Sequence, residues 1–372
     1  MRYKVALVVG ARPNFMKAAP VYIELGKYNE MESYLIHTGQ HYDENLSKVF
    51  FDDLKLPQPH FYLGVGSGTH SEQTAGIMCE FEKILLREDP HLVMVVGDVN
   101  STLACALTAA KYRCNNSQYR PLIAHVEAGL RSFDWRMPEE INRRLTDSLS
   151  DLLFTTEPVA LDNLLKEGID SNKIFYVGNV MIDSLLRFKE TAAKSDILKR
   201  LKLREKEYAV LTLHRPANVD NLSDIRRILK GLKEISKKIA VILPIHPRTR
   251  KMFDTYKIKV DFIKIIEPLG YLDFLKLMTD ARFMLTDSGG IQEETTVLGI
   301  PCLTLRENTE RPVTVTVGTN TVVGKDPDML LEETKKILSG EYKKGGIPEF
   351  WDGKAAQRIC KIVYNHLRST FK

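Results

Sequence analysis

Cysteine pairs, membrane spans and signal segments are all missing from this sequence. Five cysteines occur without any C-x-x-C pair, at Cys79, Cys105, Cys114, Cys302 and Cys360. This scatter favours free thiols in a reducing cytoplasm over a disulfide framework or a zinc site. No apolar run approaches the roughly 20 residues of a membrane-spanning helix, and the N-terminus leads into a strand pattern instead of a signal-peptide core. We therefore expect a cytoplasmic protein with no membrane contact.

A surplus of one charge sign is also missing. Lysine and arginine total 53 against 48 aspartate and glutamate, which gives a formal net charge of +5. No block of like charge exceeds a few residues. Such a mild and dispersed positive charge suits a small anionic ligand and is too weak for a nucleic-acid-binding protein. We expect no nucleic-acid partner.

Strand and helix patterns alternate along the chain, which predicts an α/β fold. Buried-type strands are predicted in the first half at Tyr3–Val9, Ser33–His37, His91–Val96, Leu122–Val126, Leu152–Thr155 and Ile174–Val177. The second half has predicted strands at Tyr208–Leu213, Ile239–Pro244, Asp261–Ile266 and Phe283–Thr286. The two series predict two Rossmann-like, doubly wound domains that face each other across a cleft.

The domain boundary is predicted at Gly178 and Asn179, between the two strand series. The first domain would cover residues 1–178, and a C-terminal helix at about 355–372 would pack back on it. The second domain would cover residues 179–354. At 372 residues and roughly 150 residues per domain, this division agrees with the chain length.

Carboxylates follow two of the predicted strands in the first half. Glu127 comes at the end of one strand, and Asp98 follows Gly97 at the end of another. Ligands of open α/β sheets bind at the carboxyl ends of strands, so both side chains are candidates for a shared site. Pro138 is predicted to begin a helix, which places Glu139 in its first turn, where it could reach the same site. The neighbouring Glu140 is equally well explained as a partner of the helix dipole.

The first strand is followed by an unusual turn, Gly10–Asn14, that does not match the dinucleotide fingerprint G-x-G-x-x-G. It carries Arg12, and Lys17 follows within the next helical pattern. A helix N-terminus with two cations predicts an anion site. The glycine-rich segment Gly64–Gly68 also fails to match the fingerprint, because no good parallel strand precedes it, and we interpret it as a loop.

The second half carries a local signal for phosphate binding. The predicted strand Phe283–Thr286 leads into Ser288, Gly289 and Gly290, which precede a helix. Small residues allow a phosphate to approach the backbone N–H groups of such a helix start. Glu294 lies one turn further on, where a carboxylate could accept two ribose hydroxyls. Downstream, Arg311 supplies another cation.

Taken together, these residues resemble the non-hydrolysing UDP-N-acetylglucosamine 2-epimerases, whose fold is similar to that of the GT-B glycosyltransferases. The matching stretches span nearly the whole chain in the right order: Gly10-Ala11-Arg12-Pro13 with Lys17, Gly97-Asp98, His125 to Arg131, Pro138-Glu139-Glu140 with Asn142-Arg143, His214-Arg215, Asp287 to Gly290 with Gln292-Glu293-Glu294, and Glu310-Arg311-Pro312.

The resemblance implies roles for individual residues. It assigns the diphosphate of UDP to Ser288, Gly289, Gly290 and Arg311, the ribose to Glu294 and the neighbourhood of uracil to Phe274. It places around the sugar and the leaving group Arg12, Lys17, Asp98, Glu127, Glu139 and His214, with the last four as catalytic candidates. It further implies a homodimer, a UDP-sugar as substrate, no cofactor, and a setting in surface-polysaccharide synthesis.

Inversion at C2 of an N-acetylhexosamine requires the breaking of a C–H bond that no carbonyl group acidifies. One route passes through a 3-keto sugar and needs NAD, against which the missing dinucleotide fingerprint argues. The other expels UDP from C1, after which a carboxylate removes the C2 proton to give a glycal. Three alternatives stay open: a hydrolysing 2-epimerase that releases UDP and N-acetylmannosamine, a GT-B glycosyltransferase, and an inactive nucleotide-sugar sensor.

Overall fold

The computed structural model describes residues 2–40, 51, 53–113 and 120–371. Within them the chain divides into two compact units, the first formed by Met1–Arg187 with Glu349–Lys372 and the second by Phe188–Pro348. The division falls inside the helix Val180–Ala193, a little after the predicted boundary between residues 178 and 179. Gly178 belongs to the first unit, because its backbone lies against that of Phe350: a Cβ on Gly178 would be 2.0 Å from the Phe350 carbonyl oxygen.

The first unit contains a parallel sheet of seven strands in the order β3-β2-β1-β4-β5-β6-β7. The strands are β1 (Tyr3–Val9), β2 (Met31–His37), β3 (Phe61–Tyr62), β4 (Leu92–Val96), β5 (Leu122–Ala128), β6 (Leu152–Thr155) and β7 (Ile174–Tyr176). The central strands are buried along their length, as expected for a parallel sheet that helices cover on both faces. Helices here are α1 (Arg12–Leu25), α2 (His70–Glu88), α3 (Asn100–Lys111), α4 (Pro138–Leu149), α5 (Pro158–Lys166) and α6 (Val180–Ala193).

The second unit contains a parallel sheet of six strands in the order β10-β9-β8-β11-β12-β13. The strands are β8 (Tyr208–Thr212), β9 (Ala240–Pro244), β10 (Lys264–Ile266), β11 (Phe283–Thr286), β12 (Cys302–Thr304) and β13 (Asn320–Val322). The remaining helices are α7 (Ile197–Leu201), α8 (Pro216–Val219), α9 (Leu222–Ser236), α10 (Pro247–Thr255), α11 (Tyr271–Thr279), α12 (Gly289–Leu298), α13 (Pro312–Thr316), α14 (Pro327–Ser339) and α15 (Ala355–Thr370).

Each sheet reverses its strand order once, between β1 and β4 in the first unit and between β8 and β11 in the second. At such a switch point the connecting helices leave in opposite directions and open a crevice at the carboxyl ends of the strands. The predicted doubly wound architecture is therefore confirmed in each unit. The turns after β1, β4, β8 and β11 are the positions where ligand-binding side chains are expected.

The C-terminal helix α15 returns to the first unit. Its Cys360 thiol lies 3.7 Å from the carbonyl oxygen of Val21 in α1. The carboxylate of Asp183 in α6 accepts hydrogen bonds from the first two amides of α15, at 3.1 Å from Ala355 and 2.7 Å from Ala356. These bonds satisfy donors that a helix start leaves without intrahelical partners.

Some local predictions are wrong. The helix after β1 begins at Arg12, inside the segment Gly10–Asn14 that was predicted to be a turn, because Pro13 fits the first helical turn. The strand β10 begins at Lys264, whereas the sequence predicted a start at Asp261. A short parallel strand, β3, does precede the Gly64–Gly68 segment, although none was expected there.

In the part of the chain that the structure describes, no helix is long and apolar enough to cross a membrane. Four of the cysteines are free thiols, and Cys114 lies outside the described residues.

Candidate active site

The end of β5 places a glutamate against a buried lysine. Glu127 has φ of +75°, an unusual backbone angle for a residue with a side chain, at a point where the pairing of β5 with β6 shifts register. Its Oε1 lies 2.6 Å from the Lys17 ammonium nitrogen of α1. Both residues are buried, with 4% and 5% of their surface exposed. Two sequence-predicted site residues, 110 positions apart, are thus brought into direct contact.

Gly129 makes the sharp turn after Glu127 possible. It has φ of +81°, and a Cβ at this position would lie 2.4 Å from the carbonyl oxygen of Ala160 in α5. Only glycine can occupy such a position without moving the helix.

Two residues after the neighbouring strand β4 lies Asp98, the second predicted carboxylate. Its Oδ2 accepts hydrogen bonds from Arg143 of α4, at 3.0 Å from Nε and 2.7 Å from Nη2. The side-chain amide of Asn142 donates to the Asp98 carbonyl oxygen at 2.9 Å. A Cβ on Gly97 would be 3.2 Å from the Lys17 ammonium nitrogen, so this cation lies against the backbone directly before Asp98.

The first turn of α4 contains both predicted glutamates. Glu139 is half-buried, and the next turn of α4 packs beside Asp98 through Asn142 and Arg143. Glu140 is fully buried, accepts the Ser132 amide at 2.8 Å and pairs with Arg143 at 2.9 Å. Burial opposes ionisation of Glu140, but the Ser132 hydrogen bonds and Arg143 outweigh it and lower its pKa. Glu140 therefore does more than complement the helix dipole.

Arg12 is the first residue of α1, at the switch point of the first sheet. Its side chain lies outside the part of the chain that the structure describes. Its predicted role as a cation for the leaving group stays a prediction.

In the second unit, His214 follows β8 and meets Asp287 after the adjacent strand β11. The His214 Nδ1 lies 3.0 Å from Asp287 Oδ1, and the amides of His214 and Arg215 donate to Oδ2 at 2.9 and 2.8 Å. Burial would raise the pKa of Asp287, but His214 and these hydrogen bonds lower it to about 2. The histidine ring is partly exposed while the aspartate that orients it is buried.

The predicted phosphate cradle forms the start of α12. Ser288 precedes the helix, and its amide donates to the Thr286 hydroxyl at 2.9 Å. A Cβ on Gly289 would lie 2.3 Å from Arg311 Nη1, so the guanidinium covers the helix start where no side chain fits. A helix N-terminus beside a buried arginine is a suitable site for an anion.

Arg311 was expected to be a cation available to a ligand, but its guanidinium already pairs with two glutamates. Its Nε lies 2.6 Å from Glu293 Oε1, and its Nη1 lies 2.5 Å from Glu310 Oε1. Arg306 pairs with the second oxygen of Glu310 at 2.7 Å. The positive charge of Arg311 is therefore compensated by carboxylates. The orientation of its guanidinium group is fixed before any ligand binds.

Glu294 and Phe274 lie on the two helices predicted to hold the nucleoside. Glu294 in α12 is 3% exposed and accepts the Tyr271 hydroxyl at 3.1 Å. Burial, with a further contribution from nearby Glu293, raises its pKa to about 8. Phe274 is half-buried in α11, one turn after Tyr271. The sequence predicted the carboxylate but not its environment.

The sequence did not show which residues pair with the predicted site residues. These partners all lie in the quoted motifs: Asn142, Arg143, Asp287, Glu293 and Glu310. Among the described residues, no group of three or more His, Cys, Asp or Glu side chains is arranged to hold a metal ion.

Comparison with known proteins identifies a family that this chain matches. The family described as UDP-N-acetylglucosamine 2-epimerase matches residues 23–364. A UDP-N-acetylglucosamine 2-epimerase from Methanocaldococcus jannaschii is 45% identical, over 97% of this chain and 98% of that protein. A UDP-2,3-diacetamido-2,3-dideoxy-D-glucuronate 2-epimerase from Pseudomonas aeruginosa is 40% identical, over 97% and 99% of the two chains.

Solved structures agree with the sequence comparison. The crystal structure of the M. jannaschii UDP-GlcNAc 2-epimerase in complex with UDP-GlcNAc and UDP superimposes with a TM-score of 0.90 at 44% identity, over 97% of this chain and 99% of that one. The Neisseria meningitidis enzyme bound to UDP-GlcNAc gives a TM-score of 0.88 at 31% identity, over 97% and 100%.

Proposed function

Because the chain belongs to the UDP-N-acetylglucosamine 2-epimerase family, we propose that it interconverts UDP-N-acetylglucosamine and UDP-N-acetylmannosamine without hydrolysis. UDP is eliminated from C1 and added back, and 2-acetamidoglucal is the intermediate. The chain is accordingly an isomerase. The further assignments of steps and residues below are part of the proposal.

The observation that carries the proposal is the pair of strand-end carboxylates in the first unit. Asp98 comes two residues after β4, Glu127 is the last residue but one of the neighbouring strand β5, and each is paired with a buried cation. Inversion at one carbon needs one group that removes a proton and another that returns a proton to the opposite face. Two fixed carboxylates at adjacent strand ends, with Glu139 in the helix beside them, provide these groups.

The reaction balances without an oxidant. In the first step the C1–O bond breaks, its electron pair leaves on the β-phosphate oxygen, and the C2 proton passes to a carboxylate, which forms the C1=C2 double bond. In the second step a carboxylic acid returns a proton to the other face of C2, and the phosphate oxygen adds to C1. Which of Asp98, Glu127 and Glu139 acts first stays open.

The proposal assigns the nucleotide to the second unit. The start of α12 at Ser288–Gly290 and Arg311 would bind the diphosphate, where hydrogen-bond donors stabilise the charge that develops as the bond to C1 breaks. His214, oriented by Asp287, would donate to the same leaving group. Glu294 would bind the ribose hydroxyls, and Phe274 would contact uracil. Arg12 and Lys17 complete the proposed set on the sugar side.

The turn after β1 supports elimination over a keto route that needs NAD. The amides of Gly10 and Ala11 donate to the side-chain oxygen of Asn14, at 3.2 and 3.0 Å. A dinucleotide would bind its pyrophosphate with such amides. Here they already have an acceptor within the turn.

Incubation of the purified protein with UDP-N-acetylglucosamine, without added NAD, tests the proposed function. We expect proton NMR to show UDP-N-acetylmannosamine, and the same final ratio of the two sugars from either starting compound. Free N-acetylmannosamine with UDP would instead identify a hydrolysing enzyme, and unchanged substrate would identify a sensor. A parallel reaction with UDP-2,3-diacetamido-2,3-dideoxy-D-glucuronate tests whether the substrate is that of the P. aeruginosa relative.

The proposal extends to a cytoplasmic homodimer that serves surface-polysaccharide synthesis. Sedimentation equilibrium of the purified chain tests the dimer, and a monomer at all concentrations would contradict it.

A further inference from the structure

His125 lies in β5 between two acceptors. Its Nδ1 is 2.6 Å from Asp147 Oδ1, and its Nε2 is 2.8 Å from the carbonyl oxygen of Gly97. A carbonyl oxygen cannot donate, so Nε2 must carry a proton. Arg131 Nη2 lies 2.7 Å from Asp147 Oδ2, and the Gly129 amide donates to the same oxygen at 3.1 Å, as is typical of an ionised carboxylate. The carboxylate is thus an acceptor too, and both ring nitrogens are donors, as in an imidazolium ion.

The His125–Asp147 pair is one link in a longer chain of alternating charges. Each contact joins a cation to a carboxylate at 2.6 to 3.2 Å. In order, the members are His125, Asp147, Arg131, Glu167, Arg144, Glu140, Arg143 and Asp98. Four cations alternate with four carboxylates, so the chain is neutral as a whole.

The charge chain closes into a ring at the end of β4. One end holds the Gly97 carbonyl oxygen through His125, and the other holds the Asp98 carboxylate through Arg143. Gly97 has φ of +70°, a conformation that favours glycine and that the two flanking contacts hold fixed. We name these eight side chains the charge ring.

The charge ring also contacts the end of β5, the strand that carries Glu127. Asp147 Oδ2 accepts the Gly129 amide at 3.1 Å, two residues after Glu127. One side chain therefore links the turn after β5 to the ring that fixes the turn after β4. Buried ion pairs contribute little net stability because desolvation offsets their attraction, so their best-supported use is to specify geometry.

We propose that the charge ring positions Asp98 and Glu127 for proton transfer, with His125 held as an imidazolium ion. The inference rests on the proposed function, since it gives these two carboxylates their catalytic task. His125 and Asp147 are positioning residues, because they act on substrate through Asp98 and Glu127.

Nitrogen NMR of the free protein, labelled with ¹⁵N-histidine, tests the charge state without reference to activity. At about pH 8, where an unpaired histidine is neutral, we expect both His125 nitrogens to give imidazolium shifts with a directly bonded proton on each. The signals are assigned by their loss in His125→Gln. A neutral tautomer, with one nitrogen unprotonated, would overturn the imidazolium assignment.

Kinetics test the positioning role. Asp147→Asn should lower kcat roughly 10²-fold, the effect of a small displacement of catalytic groups, while KM stays unchanged. Glu167→Gln removes one carboxylate of the charge ring, at a side chain that is 26% exposed. It should lower kcat less than Asp147→Asn does. Glu80→Gln removes a glutamate of α2 that pairs with Lys83 on the surface, and it serves as the matched control with wild-type kinetics.

Wild-type kcat in both Asp147→Asn and Glu167→Gln would overturn the positioning role, as would a raised KM at constant kcat. If Asp147→Asn fails to fold, Glu167→Gln and the NMR measurement still decide. An inactive wild-type protein contradicts the proposed function alone, whereas an active enzyme with a neutral His125 contradicts the charge ring alone.

Discussion

Three of the carboxylates predicted to face the ligand, Glu127 and Asp98 in the first unit and Glu294 in the second, are held in opposite ways. In the first unit Glu127 and Asp98 are each paired with a cation, Lys17 or Arg143, within 2.7 Å. In the second unit Glu294 accepts a tyrosine hydroxyl, and among the described residues no cation pairs with it. Its pKa is raised to about 8, so near neutral pH it is mostly a neutral acid.

This difference indicates two kinds of preparation for a ligand. The first unit fixes its proposed proton-transfer groups with compensating charges before substrate arrives, which would remove the cost of reorganisation during the reaction. In the second unit burial raises the pKa of Glu294, the proposed ribose-binding group, while Arg311 is held in a fixed orientation by Glu293 and Glu310. If this account is correct, charge-removing substitutions should affect turnover in the first unit and nucleotide affinity in the second.

The largest effect is expected from Glu127→Gln. Loss of an acid or base should reduce turnover by roughly 10²–10⁴-fold. The substitution also leaves the Lys17 cation buried without its partner, which costs about 3–5 kcal/mol of unfolding free energy. Steady-state kinetics and urea unfolding measure the two effects.

The double variant Lys17→Met/Glu127→Gln is the control for that prediction. It removes both charges, so stability should largely return while turnover stays low. Recovery of turnover together with stability would contradict a chemical role for Glu127. Asp98→Asn and Glu139→Gln should show similar losses of turnover.

An intermediate effect is expected on nucleotide binding. Arg311→Ala and Glu294→Ala should each weaken UDP binding by roughly 1.5–3 kcal/mol, as expected when charge-assisted hydrogen bonds are lost. Titration calorimetry with UDP measures this, and Asp98→Asn, which changes the first unit, should bind UDP like the wild type. Unchanged affinity in both second-unit variants would remove the proposed nucleotide site.

The smallest effect is expected from Glu294→Gln on the ligand-free protein. The folded-state pKa of Glu294 is about 8, against 4.5 for the exposed group, so the folded state binds the proton more tightly. The contribution of this group to stability is therefore complete below pH 4.5 and is lost as the pH rises to about 8. The glutamine variant avoids this loss and should be more stable at high pH by on the order of 1 kcal/mol, because a buried amide still needs partners.

Thermal unfolding from acid to mildly alkaline pH checks this sign. The difference between Glu294→Gln and the wild type should grow as the pH rises, whereas Glu234→Gln, an exposed substitution in the same unit, should show no such growth. A constant difference at every pH would mean that folding does not shift the pKa of Glu294.

The sequence predicted the elements that carry the site better than the short elements around it. β1, β4, β5 and β11 were found because continuous apolar runs end at glycine or at a carboxylate. β12 and β13, with three residues each, went unrecognised, as did the short helix α8 that begins at Pro216. Segments this short show no reliable period, and β7 and β10, which also have three residues each, were predicted only with extra residues.

The chemistry of the site was predictable by residue type but not by pairing. Lys17 and Glu127 are 110 positions apart and Asp98 and Arg143 are 45 apart, so no local pattern indicates that they meet. The raised pKa of Glu294 depends on its burial, and on Tyr271 and Glu293 beside it. Such environments follow from tertiary packing, which sequence periodicity does not encode.

The elimination of UDP is tested most directly in a single reaction. UDP-N-acetylglucosamine that carries ¹⁸O in the bridge between C1 and the β-phosphorus is converted in D2O, and the products are read by proton and phosphorus NMR. The account predicts deuterium at C2 with none at C3 or C4, and transfer of the label to the non-bridging oxygens of the β-phosphate. A retained C2 proton with the label still in the bridge, in a reaction that requires NAD, would contradict it.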